Sequence, residues 1–78
     1  MYIIEYKTPI NKYIVSIVRY DETGKVNSIN SFFYTDSYMF AKYFENKEEC
    51  YPVLNFIQNY AINHQTDIDI NSIKIKRV

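Results

Sequence analysis

The sequence predicts an α+β fold in which a three-stranded antiparallel meander is followed by one or two helices packed on the sheet, and then by a C-terminal strand, in the order β-β-β-α-α-β. Apolar residues alternate at the period of a strand up to Thr35, and afterwards recur at the three- and four-residue spacing of a helix. Of the 78 residues, 47% are hydrophobic and 23% are charged. This length and composition suit a single small folded domain over residues 1–78.

Three segments in the first half of the chain have the alternation and the aromatic and β-branched residues of strands: Tyr2–Lys7, Lys12–Tyr20 and Val26–Thr35. Pro9 separates the first two because it lacks a backbone donor. Gly24 supplies the left-handed position of a turn before the third. We therefore expect the three segments to pair in order as a meander.

The first helix signal follows directly. Asp36 or Ser37 has the short polar side chain of an N-cap, and the residues after it predict two turns of helix over Tyr38–Phe44. We expect this short helix to pack on the sheet ahead of the main one.

A second and stronger helix signal begins at Asn46, which is followed three residues later by Glu49 in a variant of the capping box. The principal helix is predicted within Lys47–Asn63, with a kink or a late start near Pro52. Its apolar stripe consists of Cys50, Val53, Leu54, Ile57, Tyr60 and Ala61. Strand character then returns, and the closing strand is predicted at Ile73–Arg77.

The charge balance and the cysteine count exclude several classes of function. Lys and Arg number 9 and Asp and Glu number 9, so the net charge is zero, which argues against a simple electrostatic binder of nucleic acid or membrane. No apolar run reaches the roughly 18 residues of a membrane span. A small chain with a single cysteine is typical of the cytosol, and we expect a cytoplasmic protein, in the host cell if it is phage-encoded.

No residue pattern indicates catalysis, a metal or a cofactor. Cys50 and His64 lie 14 residues apart on one predicted helix, about 21 Å along its axis, so we interpret them as a buried cysteine and a surface histidine. The acidic run from Asp67 resembles the start of a calcium loop, but Ser72 stands where the loop needs Gly and Val78 where it needs Glu. We expect a protein that is not an enzyme.

The strands carry more apolar and tyrosine positions than one helical layer covers, which indicates a binding surface. The predicted partner-binding residues combine strand positions with the acidic helix start: Phe33, Tyr34, Tyr13, Ile29, Glu48 and Glu49. The occupant of the surface is either a second copy, in a homodimer, or a larger protein. The alternative is a nucleic-acid-binding accessory protein that uses sheet aromatics and the basic cluster Lys74, Lys76 and Arg77.

A group of residues in the second half of the chain forms a recognisable pattern: Asp36, Ala41 and Phe44, the run Asn46–Glu49 before an amphipathic helix, and the closing Lys74–Val78. With this pattern, the second half resembles small orphan proteins of phages and prophages in AT-rich Gram-positive bacteria. The resemblance implies a stoichiometric inhibitor of a host or defence protein, a class that includes anti-CRISPR proteins. Many of those are acidic DNA mimics. Because this chain is neutral, we expect it to cover a protein surface instead.

Overall fold

The computed structural model describes every residue from Met1 to Val78. A four-stranded antiparallel sheet is covered on one side by a single α-helix. The strands are β1 (Tyr2–Lys7), β2 (Lys12–Val18), β3 (Phe32–Thr35) and β4 (Asp69–Arg77), and the helix is α1 (Lys47–Asn63). The order across the sheet is β3-β2-β1-β4. The predicted α+β class is therefore confirmed, whereas the element order is β-β-β-α-β and contains one α-helix.

The second strand is shorter than the predicted Lys12–Tyr20 and ends at Val18. A polar loop follows, in which the Asp21 carboxylate accepts the backbone N–H of Thr23 at 2.8 Å. Gly24 has a φ of 78°, as its predicted turn position requires. Bonds from a side chain to the nearby backbone stabilise this loop in place of the last residues of the strand.

The predicted strand over Val26–Thr35 is wrong in its first part. The Ser28 hydroxyl accepts the backbone N–H of Asn30 at 3.0 Å and caps one turn of 3₁₀ helix over Ile29–Ser31. A serine that bonds to its own neighbourhood competes with the sheet for backbone donors. The strand therefore begins only at Phe32.

The predicted two-turn helix over Tyr38–Phe44 is also wrong, although its cap is present. The Ser37 hydroxyl accepts the backbone N–H of Met39 at 3.3 Å. This bond starts a single 3₁₀ turn over Tyr38–Phe40, after which the backbone is extended.

Residues 42–44 form sheet-like backbone hydrogen bonds and are therefore not helical. The Lys42 N–H donates to the Val15 carbonyl of β2 at 2.7 Å, while Phe44 and Tyr2 of β1 exchange two bonds of 2.8 Å. β1 and β2 pair with each other only near their hairpin. The segment 42–44 therefore fills the gap where these strands diverge, and it leads from the side of the 3₁₀ turn to α1.

The helix α1 has its predicted bounds and cap. The Asn46 carboxamide oxygen accepts the Glu49 N–H at 3.1 Å. The helix begins at Lys47 although Pro52 lies inside it, so the late start does not occur. Leu54 and Tyr60 are only half-buried. The fully buried positions are Cys50, Val53, Ile57 and Ala61.

The last strand begins earlier than the predicted Ile73–Arg77, at Asp69. Its register against β1 shifts near Lys7, where the Lys7 N–H donates to the Ser72 hydroxyl at 2.8 Å. The hydroxyl thus takes the place of a backbone acceptor and lets the pairing continue past a bulge.

Successive strand residues point to opposite faces of the sheet, and each face is covered by a different part of the chain. The face under α1 holds the main apolar core, which consists of Ile4, Tyr6, Val15, Phe32, Phe44, Cys50, Val53, Ile57 and Ile73. On the opposite face Ile3, Glu5 and Ile14 are also at most 1% exposed. The loop that contains the Tyr38–Phe40 turn lies over this second face, so the sheet is covered partly on both sides.

Candidate binding face

The sheet face opposite α1 is built around one buried carboxylate. Glu5 lies in the middle of β1 and is 1% exposed. Its Oε2 lies 3.2 Å from Lys12 Nζ and accepts the Tyr38 hydroxyl at 3.1 Å. Its Oε1 lies 3.4 Å from Lys74 Nζ without a well-directed hydrogen bond. Glu5 thus joins β1, β2, β4 and the loop over the sheet.

Burial raises the pKa of Glu5, but the hydrogen bonds from Lys12 and Tyr38 and the nearby positive charges outweigh it, so the net pKa lies below its ordinary value. The carboxylate is therefore ionised at neutral pH. An ionised acceptor gives stronger hydrogen bonds than a neutral one, which fixes Tyr38 over the sheet.

Four lysines surround Glu5 on this face. Lys12 lies opposite Lys7 in the β1–β2 pair, and in the β1–β4 pair Lys74 lies opposite Glu5 and Lys76 opposite Ile3. The ammonium groups of Lys12 and Lys76 also donate to the Tyr38 hydroxyl at 3.3 and 3.4 Å. The four positive charges outnumber the negative charges of Glu5 and of Asp69, which lies opposite Lys7 in the β1–β4 pair, so this region is basic in a chain whose net charge is zero.

Apolar side chains are exposed on the same side of the molecule. Ile17 lies opposite Phe33 in the β2–β3 pair, and they are 51% and 46% exposed. In the loop, Met39 is 82% and Phe40 is 66% exposed. Large apolar groups exposed together are characteristic of a contact surface, and polar residues commonly border such a group. We call this side, with its four lysines and these four apolar residues, the lysine-rimmed face.

The predicted partner-binding strand residues fall on both faces. Phe33 belongs to the lysine-rimmed face. Tyr34 lies next to it in the sequence but points to the α1 side, where it packs against Tyr13 with ring centroids 4.9 Å apart. Tyr13, Tyr34 and Ile29 line one cavity on that side. Glu48 and Glu49 are exposed in the first turn of α1, so the six residues do not form one surface.

The predicted basic cluster also divides. Lys74 and Lys76 lie on the lysine-rimmed face, whereas Arg77 is paired with Tyr2 and lies on the other side of β4. Sequence reasoning missed Lys7 and Lys12, which complete the rim. Lys7 shares the alternation of Ile3 and Glu5, but only the register between strands brings these lysines to the same place as Lys74 and Lys76.

The two residues considered for nucleophilic chemistry lie near opposite ends of α1. Cys50 is fully buried, and burial together with nearby Glu49 raises the pKa of its thiol to about 11. His64 is exposed at the C-cap, where its Nδ1 donates to the Tyr60 carbonyl at 3.1 Å. Their positions agree with the interpretation as a core cysteine and a surface histidine.

The acidic run at the start of β4 has a local structural use. Asp69 Oδ1 accepts the Asn71 N–H at 3.1 Å, and the Asp69 carbonyl accepts the Ser72 hydroxyl at 2.6 Å. No group of three or more His, Cys, Asp or Glu side chains is arranged to hold a metal ion. No helix combines the length and the apolar character needed to cross a bilayer.

Comparisons of this chain with protein-family models, with curated proteins and with solved structures find no match.

Proposed function

We propose that the chain is a small non-enzymatic binding protein that acts by covering a surface of a larger protein with its lysine-rimmed face. The observation that carries the proposal is the exposure of Ile17, Phe33, Met39 and Phe40 on the side of the sheet that α1 leaves free. Soluble monomers rarely expose large apolar groups together without a use. A stable contact removes about 800 Å² from each partner, and this group supplies an apolar centre for it.

The charges define the complementary surface. Because the lysines lie beside the apolar residues, the face fits a partner whose contact region has an apolar part next to an acidic part. Such pairing speeds association and selects the partner more than it adds affinity. The platform is also preorganised, because Glu5 anchors Tyr38 through a 3.1 Å hydrogen bond before any partner arrives.

The biological setting follows the resemblance of the second half of the chain to phage and prophage accessory proteins. The partner is a host or defence protein in the cytoplasm, and inhibition results from occlusion of its surface, as in the protein-blocking anti-CRISPR inhibitors. A homodimer through this face is the less favourable use, since two-fold pairing sets four lysines of one copy against four of the other.

Affinity capture with matched variants tests the proposal. Wild type, Phe40→Glu and Ile62→Glu are immobilised and exposed to host lysate, with retained proteins identified by mass spectrometry. Ile62 is 62% exposed on α1, so it controls for a new charge at an exposed apolar site. We expect one protein to be retained by wild type and by Ile62→Glu and lost with Phe40→Glu, at equal Tm. Equal retention by all three would contradict the proposal.

A second candidate function uses the same face for single-stranded nucleic acid. The observation that favours it is that Lys7 and Lys12 join Lys74 and Lys76 on one side of the sheet, next to exposed Phe33 and Phe40 on which bases can stack.

Fluorescence anisotropy with labelled single strands separates the two functions. Four phosphate contacts give a log–log salt slope of about −3. Sub-micromolar affinity at about 150 mM salt, lost in Lys74→Glu/Lys76→Glu but kept in Lys47→Glu, supports nucleic-acid binding. The protein-binding proposal expects only weak affinity that salt abolishes.

A further inference from the structure

A cavity of about 320 Å³ lies on the α1 side, between the tyrosine-bearing strands and the segment that leaves the helix. Tyr6, Tyr13 and Tyr34 form its sheet wall, and Tyr60 contributes from α1. Asp67 lies on its border. The volume is at the lower end of the range of about 300–1,000 Å³ for small-ligand sites. This cavity is separate from the lysine-rimmed face, because Tyr34 and Phe33 project to opposite sides of β3.

The sheet wall consists of three tyrosine rings in contact. The ring centroids are 5.7 Å apart for Tyr6 and Tyr13, 5.9 Å for Tyr6 and Tyr34, and 4.9 Å for Tyr13 and Tyr34. Their planes are inclined by 41–72°, so the wall is angular rather than a flat stack. Tyr6 is 3% exposed and forms the floor, whereas Tyr34 is 53% exposed and forms the opening.

Tyr60 stacks with two neighbouring rings. His64 stacks on it with centroids 4.1 Å apart and planes 12° apart, and Phe56 lies at 6.1 Å. His64 and Phe56 thus occupy part of the ring surface of Tyr60, which lines the cavity from α1. Burial and the neighbouring Tyr34 and Tyr13 raise the pKa of Tyr6, so its ring remains a neutral phenol.

The charges around the cavity select the class of ligand. The chain has nine Lys and Arg residues, but the lining contains none of them, and Asp67 is its one charged group. Electron-rich rings, phenol oxygens and a carboxylate attract cations and disfavour anions. We propose that this cavity binds an alkylated ammonium group, carried either by a small molecule of the choline type or by a methylated lysine side chain of a partner.

Isothermal titration calorimetry with a charged ligand and its uncharged analogue tests this inference. Choline is compared with 3,3-dimethylbutan-1-ol, which replaces the quaternary nitrogen by carbon and keeps the shape. We expect choline to bind at least tenfold more tightly. Equal affinity for the two, or no binding of choline or of trimethyl-lysine, would overturn the proposal, because the cavity would then not select for positive charge.

Variants identify the site of binding. Tyr34→Leu keeps an apolar side chain at an exposed position and removes the ring, and Asp67→Asn removes the negative charge. We expect each to weaken choline binding at least fivefold. Asp67→Asn should leave Tm unchanged, whereas Tyr34→Leu should lower it slightly because the ring contacts with Tyr6 and Tyr13 are lost. Tyr51→Leu, at a 44% exposed tyrosine of α1 outside the lining, is the matched control. Unchanged affinity in both cavity variants would overturn the assignment.

A third ligand distinguishes the two sources of the ammonium group. N-acetyl-trimethyl-lysine amide carries the same head on a peptide-like stem. Tighter binding of this compound than of choline assigns the cavity to a partner side chain, and tighter binding of choline assigns it to a small molecule. Both results support ammonium recognition, and neither depends on the lysine-rimmed face.

Discussion

Glu5 is a charged side chain that is almost completely buried. A carboxylate that is 1% exposed is costly unless it is paired and hydrogen-bonded. Here the side chains of Lys12 and Lys74 are 40% and 61% exposed, while their charges compensate the buried anion. Only one side of each ion pair is therefore fully desolvated, which makes the cluster less costly than a buried pair of two ions.

Removal of the Glu5 charge is expected to destabilise the protein. Glu5→Gln keeps the shape of the side chain but turns charge-assisted bonds to Lys12 and Tyr38 into weaker neutral ones. We expect a loss of about 1–3 kcal/mol in the free energy of unfolding, measured by urea denaturation. Glu22→Gln, in the exposed loop, should change it by less than about 0.5 kcal/mol. Equal stability of the two variants would mean that the cluster contributes nothing.

The lowered pKa of Glu5 also predicts a pH dependence of stability. The unfolded chain binds the proton more tightly than the native one, so the Glu5 contribution is present above the ordinary pKa of about 4.5. It is lost as the pH falls through the lower native value. We expect the stability difference between wild type and Glu5→Gln to be larger at pH 7 than at pH 3. A difference independent of pH would show that the native pKa is not lowered.

At the scale of elements, α1 shows which half of an apolar stripe is core. Ile57 is 1% exposed and belongs to the main cluster, whereas Leu54 packs only at its border. We expect Ile57→Ala to cost about 2–5 kcal/mol and Leu54→Ala clearly less, both measured by thermal unfolding. Equal losses of stability in the two variants would show that Leu54 is as much a core residue as Ile57.

The elements also show where sequence patterns suffice. β1 and α1 have their predicted bounds because the pattern that defines each lies within its own segment. For β1 this pattern is the alternation of side chains, and for α1 it is the N-cap together with the apolar stripe. The helix over Tyr38–Phe44 failed because Lys42 and Phe44 bond to strands far away in the sequence. The first part of the strand predicted over Val26–Thr35 failed because a local serine cap competed with the sheet, while its second part is the strand β3.

The candidate face was predictable only in part for the same reason. The period of two places Lys74 and Lys76 together on one side of a strand, and that much follows from the sequence. Their meeting with Lys7 and Lys12 depends on which strand lies next to β1 and in what register. Neither quantity is encoded in the spacing of residues along one segment.

At the scale of the whole molecule, a zero net charge conceals a separation of charge. The lysine-rimmed face is basic, while Glu48 and Glu49 in the first turn of α1, with Glu45 just before them, form an acidic region. Because the net charge is zero, solubility near neutral pH depends on these local charges. It also gives each association mode a distinct dependence on salt, because exposed charges are screened beyond about 10 Å at 0.1 M.

This separation predicts that the protein is a monomer at micromolar concentration. A two-fold dimer through the lysine-rimmed face brings like charges together, so lowering the salt concentration should oppose it, and light scattering should report the monomer mass at both low and moderate salt. Phe33→Glu is expected to leave that mass and the Tm unchanged, because Phe33 is 46% exposed and the Arg19 guanidinium lies 4.8 Å from its ring.

A dimer that strengthens at high salt and disappears in Phe33→Glu would assign the apolar residues of this face to self-association. A dimer that strengthens at low salt and survives the substitution would instead indicate contact between the basic face of one copy and the acidic helix start of another.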